Sequence, residues 1–88
     1  MPGKVESYIH SDTVGSLVRV TTQTHFAAKD AKFIEFCERI AMLACSSSAE
    51  SWKDILIGFP EMEHTIKILA QELRENIEVT DVCVLKIE

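Results

Sequence analysis

The sequence predicts a small α+β domain, and three observations carry the prediction. Residues near both ends of the chain alternate or are dense in β-branched side chains. The middle carries apolar residues at helical spacing, and turn formers separate the segments. The order strand, strand, helix, helix, helix, strand (β-β-α-α-α-β) gives a small three-stranded antiparallel sheet with the helices packed on one face. With 88 residues, 47% hydrophobic and 26% charged, the composition is that of one globular domain, and residues 1–88 are read as a single unit with one core.

From Val5 to His10, Val5, Ser7 and Ile9 fall on one side and Glu6, Tyr8 and His10 on the other, which is the period of a half-buried strand. Ser11-Asp12-Thr13-Val14-Gly15 supplies turn formers. Leu17 to Thr22 is dense in β-branched side chains and reads as the second strand of an antiparallel hairpin. From Asp30 the period changes: Phe33, Phe36, Cys37, Ile40, Ala41 and Ala44 make one helical stripe, running to about Cys45. Asp30 is placed to cap that helix, and Glu35 and Arg39 stand four apart on its polar side. Ser47 and Glu50 have the spacing of a capping box for a short helix bearing Trp52, Ile55 and Leu56. Gly58 and Pro60 close it. Pro60 opens a third helix with Met62, Ile66, Leu69, Ala70 and Leu73 on its stripe, ending near Glu75, while Ile68 lies off that stripe toward the second helix. Ile77 to Ile87 alternates as the last strand, with Ile77, Val79, Cys83, Leu85 and Ile87 on the core side and Val82 and Val84 opposite.

Charge and cysteine usage exclude several classes of function. Nine basic against fourteen acidic side chains give a net charge of −5, with the first half balanced and the second half acidic. No cluster of cations is present to displace counterions from phosphates, so a direct nucleic-acid partner is not expected. No apolar run approaches the roughly 20 residues of a membrane span, and the first residues lack the apolar stretch of a secretory signal, so a soluble cytoplasmic protein is expected. Cys37, Cys45 and Cys83 match neither a zinc ribbon nor a redox pair, and all three read as buried free thiols. His10, His25 and His64 share no ligand spacing with them. Neither a metal nor a cofactor is expected, and with three isolated glycines there is no phosphate-cradling loop. Enzymatic activity is not expected.

The stretch Gln23-Thr24-His25-Phe26-Ala27-Ala28-Lys29-Asp30, between the second strand and the first helix, is the informative one. Phe26 is a large apolar side chain in a connection that should be polar. Local physics puts the ring under the first helix as a hydrophobic staple. The competing reading sets it at a loop tip as an anchor for a partner's pocket, where one aromatic can contribute more than roughly 2 kcal/mol.

The same stretch resembles the signature of the translation elongation factor Ts family. In that family a strand ending in an acidic residue or Gln runs into Thr-Asp-Phe-Val-Ala-Lys and then a helix opening with Phe; here Gln23, Thr24, Phe26, Ala28, Lys29, Asp30 and Phe33 match. Tyr8-Ile9-His10-Ser11-Asp12 with Gly15 is similar to the family's first hairpin, and Glu75-Asn76-Ile77 to its Gly-Glu-Asn-Ile run into the closing strand. The resemblance covers about Gly3 to Ile87 but only the first half of the family's core. It implies a partner, the GTPase elongation factor Tu, and a mechanism in which the Phe of the Asp-Phe pair enters between two helices of the GTPase domain and loosens GDP. On that resemblance Phe26 is the inserted residue, with His25, Thr24, Gln23, Ala27 and Lys29 around it at the partner surface.

The chain departs from the pattern at three places. His25 stands where the family has Asp, Ala27 where Val is common, and Arg74 where Gly precedes Glu-Asn-Ile. The alternative reading is a truncated Ts-like interaction or dimerisation module without exchange activity, forming a homodimer through the hairpin or through Val82 and Val84 of the last strand.

Overall fold

The alternation at the amino-terminal end builds a first strand, β1 (Gly3–His10), which turns back into β2 (Val14–Thr21); the computed structural model describes residues 1–87. The turn between them places Ser11 and Asp12 at φ 53° and 59°, with the Thr13 N–H donating to the His10 carbonyl at 3.1 Å. Two consecutive positive φ values twist the hairpin with the strands rather than against them. The last strand, β3 (Glu78–Lys86), pairs antiparallel with β2, so β2 is central and the sheet order is β1-β2-β3.

Four helices lie between β2 and β3. A single turn, α1 (His25–Ala28), precedes the long α2 (Ala31–Ser47), which packs across β1 and β2. Then come α3 (Trp52–Gly58) and α4 (Glu61–Leu73). All six residues of the expected α2 stripe are buried, together with Ile55 of α3 and Met62 and Leu69 of α4. They meet Val18 and Val20 of β2 to form the core. Small residues let α2 sit close to the sheet: the buried Ser16 hydroxyl donates to the Ala41 carbonyl at 2.6 Å, which satisfies a polar group on the inner face.

The caps differ in detail from expectation. Asp30 does cap α2, its carboxylate accepting from the Lys32 N–H at 2.8 Å. Ser47 does not cap α3; it stays in α2, donating to the Leu43 carbonyl, and α2 ends at Ser48 with φ 53°. The cap of α3 is Ser51, which accepts from the Asp54 N–H at 3.2 Å while Asp54 accepts from the Glu50 N–H at 3.0 Å. The same Ser-x-x-acid logic operates four residues later. Glu35 and Arg39 are not paired. Lys32 instead reaches across to Glu72 of α4, and Ile68 lines a groove together with Phe36 and Arg39 of α2.

The expected faces of β3 are corrected. Arg19 pairs with Asp81 but Val20 pairs with Val79, so Thr80 is an extra residue on β3, a β-bulge. One added residue reverses the parity of everything after it. Val82 and Val84 therefore turn inward with Val79, while Cys83 and Leu85 face outward with Ile87 exposed beyond them. Cys83 is an exposed thiol and not a core one; Cys37 and Cys45 are buried as expected. The bulge is held by Arg19, whose Nε donates to Thr80 Oγ1 at 3.2 Å and to Asp81 Oδ1 at 2.7 Å. Among the described residues no helix is long and apolar enough to cross a membrane.

Helix α4 ends at Arg74 with φ 57°, where the backbone N–H returns to the Ala70 carbonyl. A side chain at positive φ costs energy that glycine avoids, and glycine is the residue the Ts pattern has at this place. The Arg74→Gly variant is expected to be more stable by about 0.5–1 kcal/mol, after the larger chain entropy of unfolded glycine is subtracted. Urea unfolding checks it, and an equal loss of stability would contradict the assigned helix end.

Candidate partner-binding site

Thr22 ends the β2 edge of the site. It is buried, and its hydroxyl donates to the Thr24 carbonyl at 2.8 Å, bending the chain away from the sheet. Thr24 is extended (φ −130°) and caps α1, its Oγ1 accepting from the Ala27 N–H at 3.3 Å. A four-residue helix cannot hold itself together, because nucleation fixes several dihedrals for one hydrogen bond. This one is held at both ends: the Lys29 N–H donates to the Phe26 carbonyl at 3.2 Å and the Asp30 N–H to the Ala27 carbonyl at 3.1 Å, where α2 begins.

A rigid turn has one side to bury. Ala27 is 6% exposed and roots α1 in the protein, so it does not stand at the surface with its neighbours as the sequence reading placed it. Phe26, the adjacent residue, is 90% exposed. The staple expected from local physics is therefore not formed. Ala27 occupies the inward position beside Phe26, and the inward-facing aromatic at the head of α2 is Phe33. Leaving a phenylalanine in water forgoes roughly 1.5–3 kcal/mol of burial, so its presentation is a net cost to the isolated fold. His25, Thr24, Gln23 and Lys29 are all exposed around the ring.

The turn is tied to a second connection, the one between α4 and β3. Glu75 Oε1 accepts from the backbone N–H groups of Gln23 at 2.9 Å and Thr24 at 3.0 Å, and Oε2 accepts from the Thr24 hydroxyl. In return the Gln23 side-chain carbonyl accepts from the Asn76 N–H at 2.8 Å. Asn76 in turn donates to Glu78 at 3.0 Å. Two sequence motifs about fifty residues apart thus form one hydrogen-bonded unit. The sequence reading found both motifs but not their contact, which no local period encodes.

The electrostatics follow from these bonds. The Thr24 hydroxyl, with the Thr24 and Gln23 N–H groups, holds the Glu75 carboxyl below its ordinary value, and Arg19 does the same for Asp81. Burial pushes the Cys37 thiol up to about 12.

The class of protein this defines is a small α+β module that displays one aromatic side chain on a braced turn. Its sequence is similar to those of curated proteins that share one name. The chain is 35% identical to elongation factor Ts of Finegoldia magna over 75 residues, which are 84% of this chain and 34% of that protein. It is 45% identical to elongation factor Ts of Acetivibrio thermocellus over 76 residues, 84% of this chain and 35% of that one. Against the chloroplastic elongation factor Ts of Galdieria sulphuraria the identity is 35% over 80 residues, 86% and 40% of the two chains. No protein-family model matches. The chain is elongation factor Ts-like and spans about a third of the length of the curated relatives it matches.

Both depressed carboxyls have native values below their unfolded ones, so each contributes stability in full above its unfolded value and loses it as pH falls through the native one. The melting temperature is expected to fall as pH drops below the ordinary carboxylate values of 4.5 for Glu75 and 3.8 for Asp81. A Glu75→Gln, Asp81→Asn double variant should show a flatter acid limb, and an acid limb of unchanged steepness would contradict the assignment.

Proposed function

We propose that this chain binds elongation factor Tu and promotes release of GDP from it, with Phe26 as the residue inserted into the GTPase domain. The single observation that carries the reading is Phe26 itself, nearly fully exposed on a turn braced from both ends. Its support from relatives is the name elongation factor Ts, beside the resemblance of residues 23–30 to that family's pattern. In physical terms the chain and GDP prefer different arrangements of the same nucleotide-binding loops in the GTPase. Each then weakens the other's binding by the same factor. The chain acts as a binding protein and not as an enzyme, in the cytoplasm, where Tu works.

One departure bears on the interaction. His25 replaces an acidic side chain, so the contact at this position is made by a ring that donates a hydrogen bond rather than by a carboxylate that only accepts one.

Release of a fluorescent GDP analogue from elongation factor Tu is expected to accelerate with added chain. Phe26→Ala is expected to reduce the acceleration at least about tenfold while leaving the melting curve nearly unchanged, since the lost side chain is a binding anchor without packing partners. Equal acceleration by Phe26→Ala and the parent would overturn the role of the ring.

A second reading, a homodimer, is favoured by a separate observation. The sheet face away from the helices exposes Val5, Ile9, Leu17, Leu85 and Ile87, the last four lining a groove of about 530 Å³. Monomers rarely leave contiguous apolar patches larger than a few hundred Å². A second copy is the occupant that fits, because two such faces stack as in a β-sandwich and each covers the other. The residues concerned are these and not Val82 and Val84, which face the core. Light scattering is expected to give twice the chain mass at high concentration and the chain mass for Leu17→Asp; a monomer at all concentrations would remove this reading.

A further inference from the structure

The two connections meeting at Glu75 raise a question that exposure of Phe26 does not answer, namely what fixes the direction in which the ring points. We infer that Glu75 is a positioning residue whose carboxylate locks the turn carrying Phe26 and so sets how well the ring engages its partner. The inference rests on the reading of Phe26 given above.

Glu75 lies just after the positive-φ end of α4, so its backbone is fixed by α4 on one side and β3 on the other. Its carboxylate receives three donors from two consecutive residues, Gln23 and Thr24. Hydrogen bonds to an ionised acceptor are the strong ones, and three on one carboxylate fix both the position and the rotation of the peptide between them. The Thr24 hydroxyl is the relay. Because it gives its proton to Glu75 Oε2, its lone pairs are directed at the Ala27 N–H, and this is the cap of α1. The order of constraint is therefore Glu75, Thr24, the start of α1, Phe26.

A helix of four residues has little order of its own, and apart from Glu75 its amino end is held only at the Thr24 carbonyl, which accepts from the Thr22 hydroxyl at 2.8 Å and the Ala28 N–H at 3.3 Å. Without the lock the turn samples other arrangements, and only the fraction of molecules with the ring correctly placed can bind at once. Glu75 has the geometry to act through Phe26 and needs no contact of its own with the partner. Replacing the carboxylate by an amide keeps an acceptor for the two N–H groups. It also turns an NH₂ toward the Thr24 hydroxyl, which must then accept where it donated.

The test compares the parent chain with Glu75→Gln, Phe26→Ala, their combination, and Thr24→Val, which removes only the hydroxyl. In the GDP-release assay with elongation factor Tu, Glu75→Gln and Thr24→Val are expected to need about tenfold more chain for half-maximal effect. In the Phe26→Ala background Glu75→Gln is expected to cost nothing further, which a merely stabilising residue would not reproduce. An unchanged half-maximal concentration, or a double variant whose losses add, would overturn the inference. Backbone ¹⁵N relaxation of the free chain supplies a readout independent of the partner. Phe26 and Ala27 are expected to gain fast motion in both variants, while the amides of β2 and α2 keep parent values. Unchanged relaxation at Phe26 would overturn the lock, whereas a parent chain inert in the release assay but mobile at Phe26 in the variants would retain the lock and remove the exchange reading.

Discussion

One carboxylate closes this fold at the end where it displays its aromatic residue. The chain leaves the sheet at Thr22 and returns to it at Glu78, and between those points it builds every helix in the domain. Glu75 joins the two ends of that excursion by accepting from Gln23 and Thr24, and Gln23 answers by accepting from Asn76. The exit from β2 and the entry to β3 are thereby fixed relative to one another without a covalent link. The single turn α1 exists because it is suspended between this bridge and the start of α2. With Ala27 spent on anchoring the turn, the next side chain along is left to solvent.

A second constraint decides which residues the sheet shows to either side. Thr80 adds one residue to β3, and the strand beyond it changes faces. The inner face gains Val82 and Val84, which complete the core against the helices, while the outer face gains Leu85 beside Leu17 of β2 and Ile9 of β1. The domain consequently carries two kinds of exposed apolar surface: a lone ring on a turn, and a broad patch on a sheet. Their physics differs. A lone ring engages a pocket and has little to offer a flat surface, whereas a sheet face is matched by another sheet face of similar breadth.

Periodic features were legible in the sequence, and features that depend on contacts between distant residues were not. The stripe from Phe33 to Ala44 repeats often enough to define α2 and its buried side, and Asp30 marks its start by its own chemistry. The alternation of β3 is equally clear, but it is a pattern with a phase, and one bulge residue held by Arg19 changes the phase. Helix α1 spans four residues, barely one turn, so no period could announce it. Ser47 and Ser51 both satisfy the local rule for a cap, and the choice fell to the one that follows the positive-φ turn at Ser48. The direction of Phe26 was open for the same reason. Whether an aromatic in a connection tucks in or stands out depends on which neighbours the fold buries, and here those are Ala27 and Phe33. The resemblance to elongation factor Ts pointed to the exposed arrangement where local physics pointed to the buried one.

The central claim is that Phe26 is held outward in the free chain and enters a partner's interior on binding. A fluorine-labelled phenylalanine at position 26 alone, observed by ¹⁹F magnetic resonance, reads that claim directly. One narrow resonance with the solvent-isotope shift of an exposed ring is predicted for the free chain. On addition of elongation factor Tu bound to GDP, it should move and broaden and lose that solvent sensitivity. A signal already insensitive to solvent in the free chain, or one unchanged at saturating elongation factor Tu, would contradict the account.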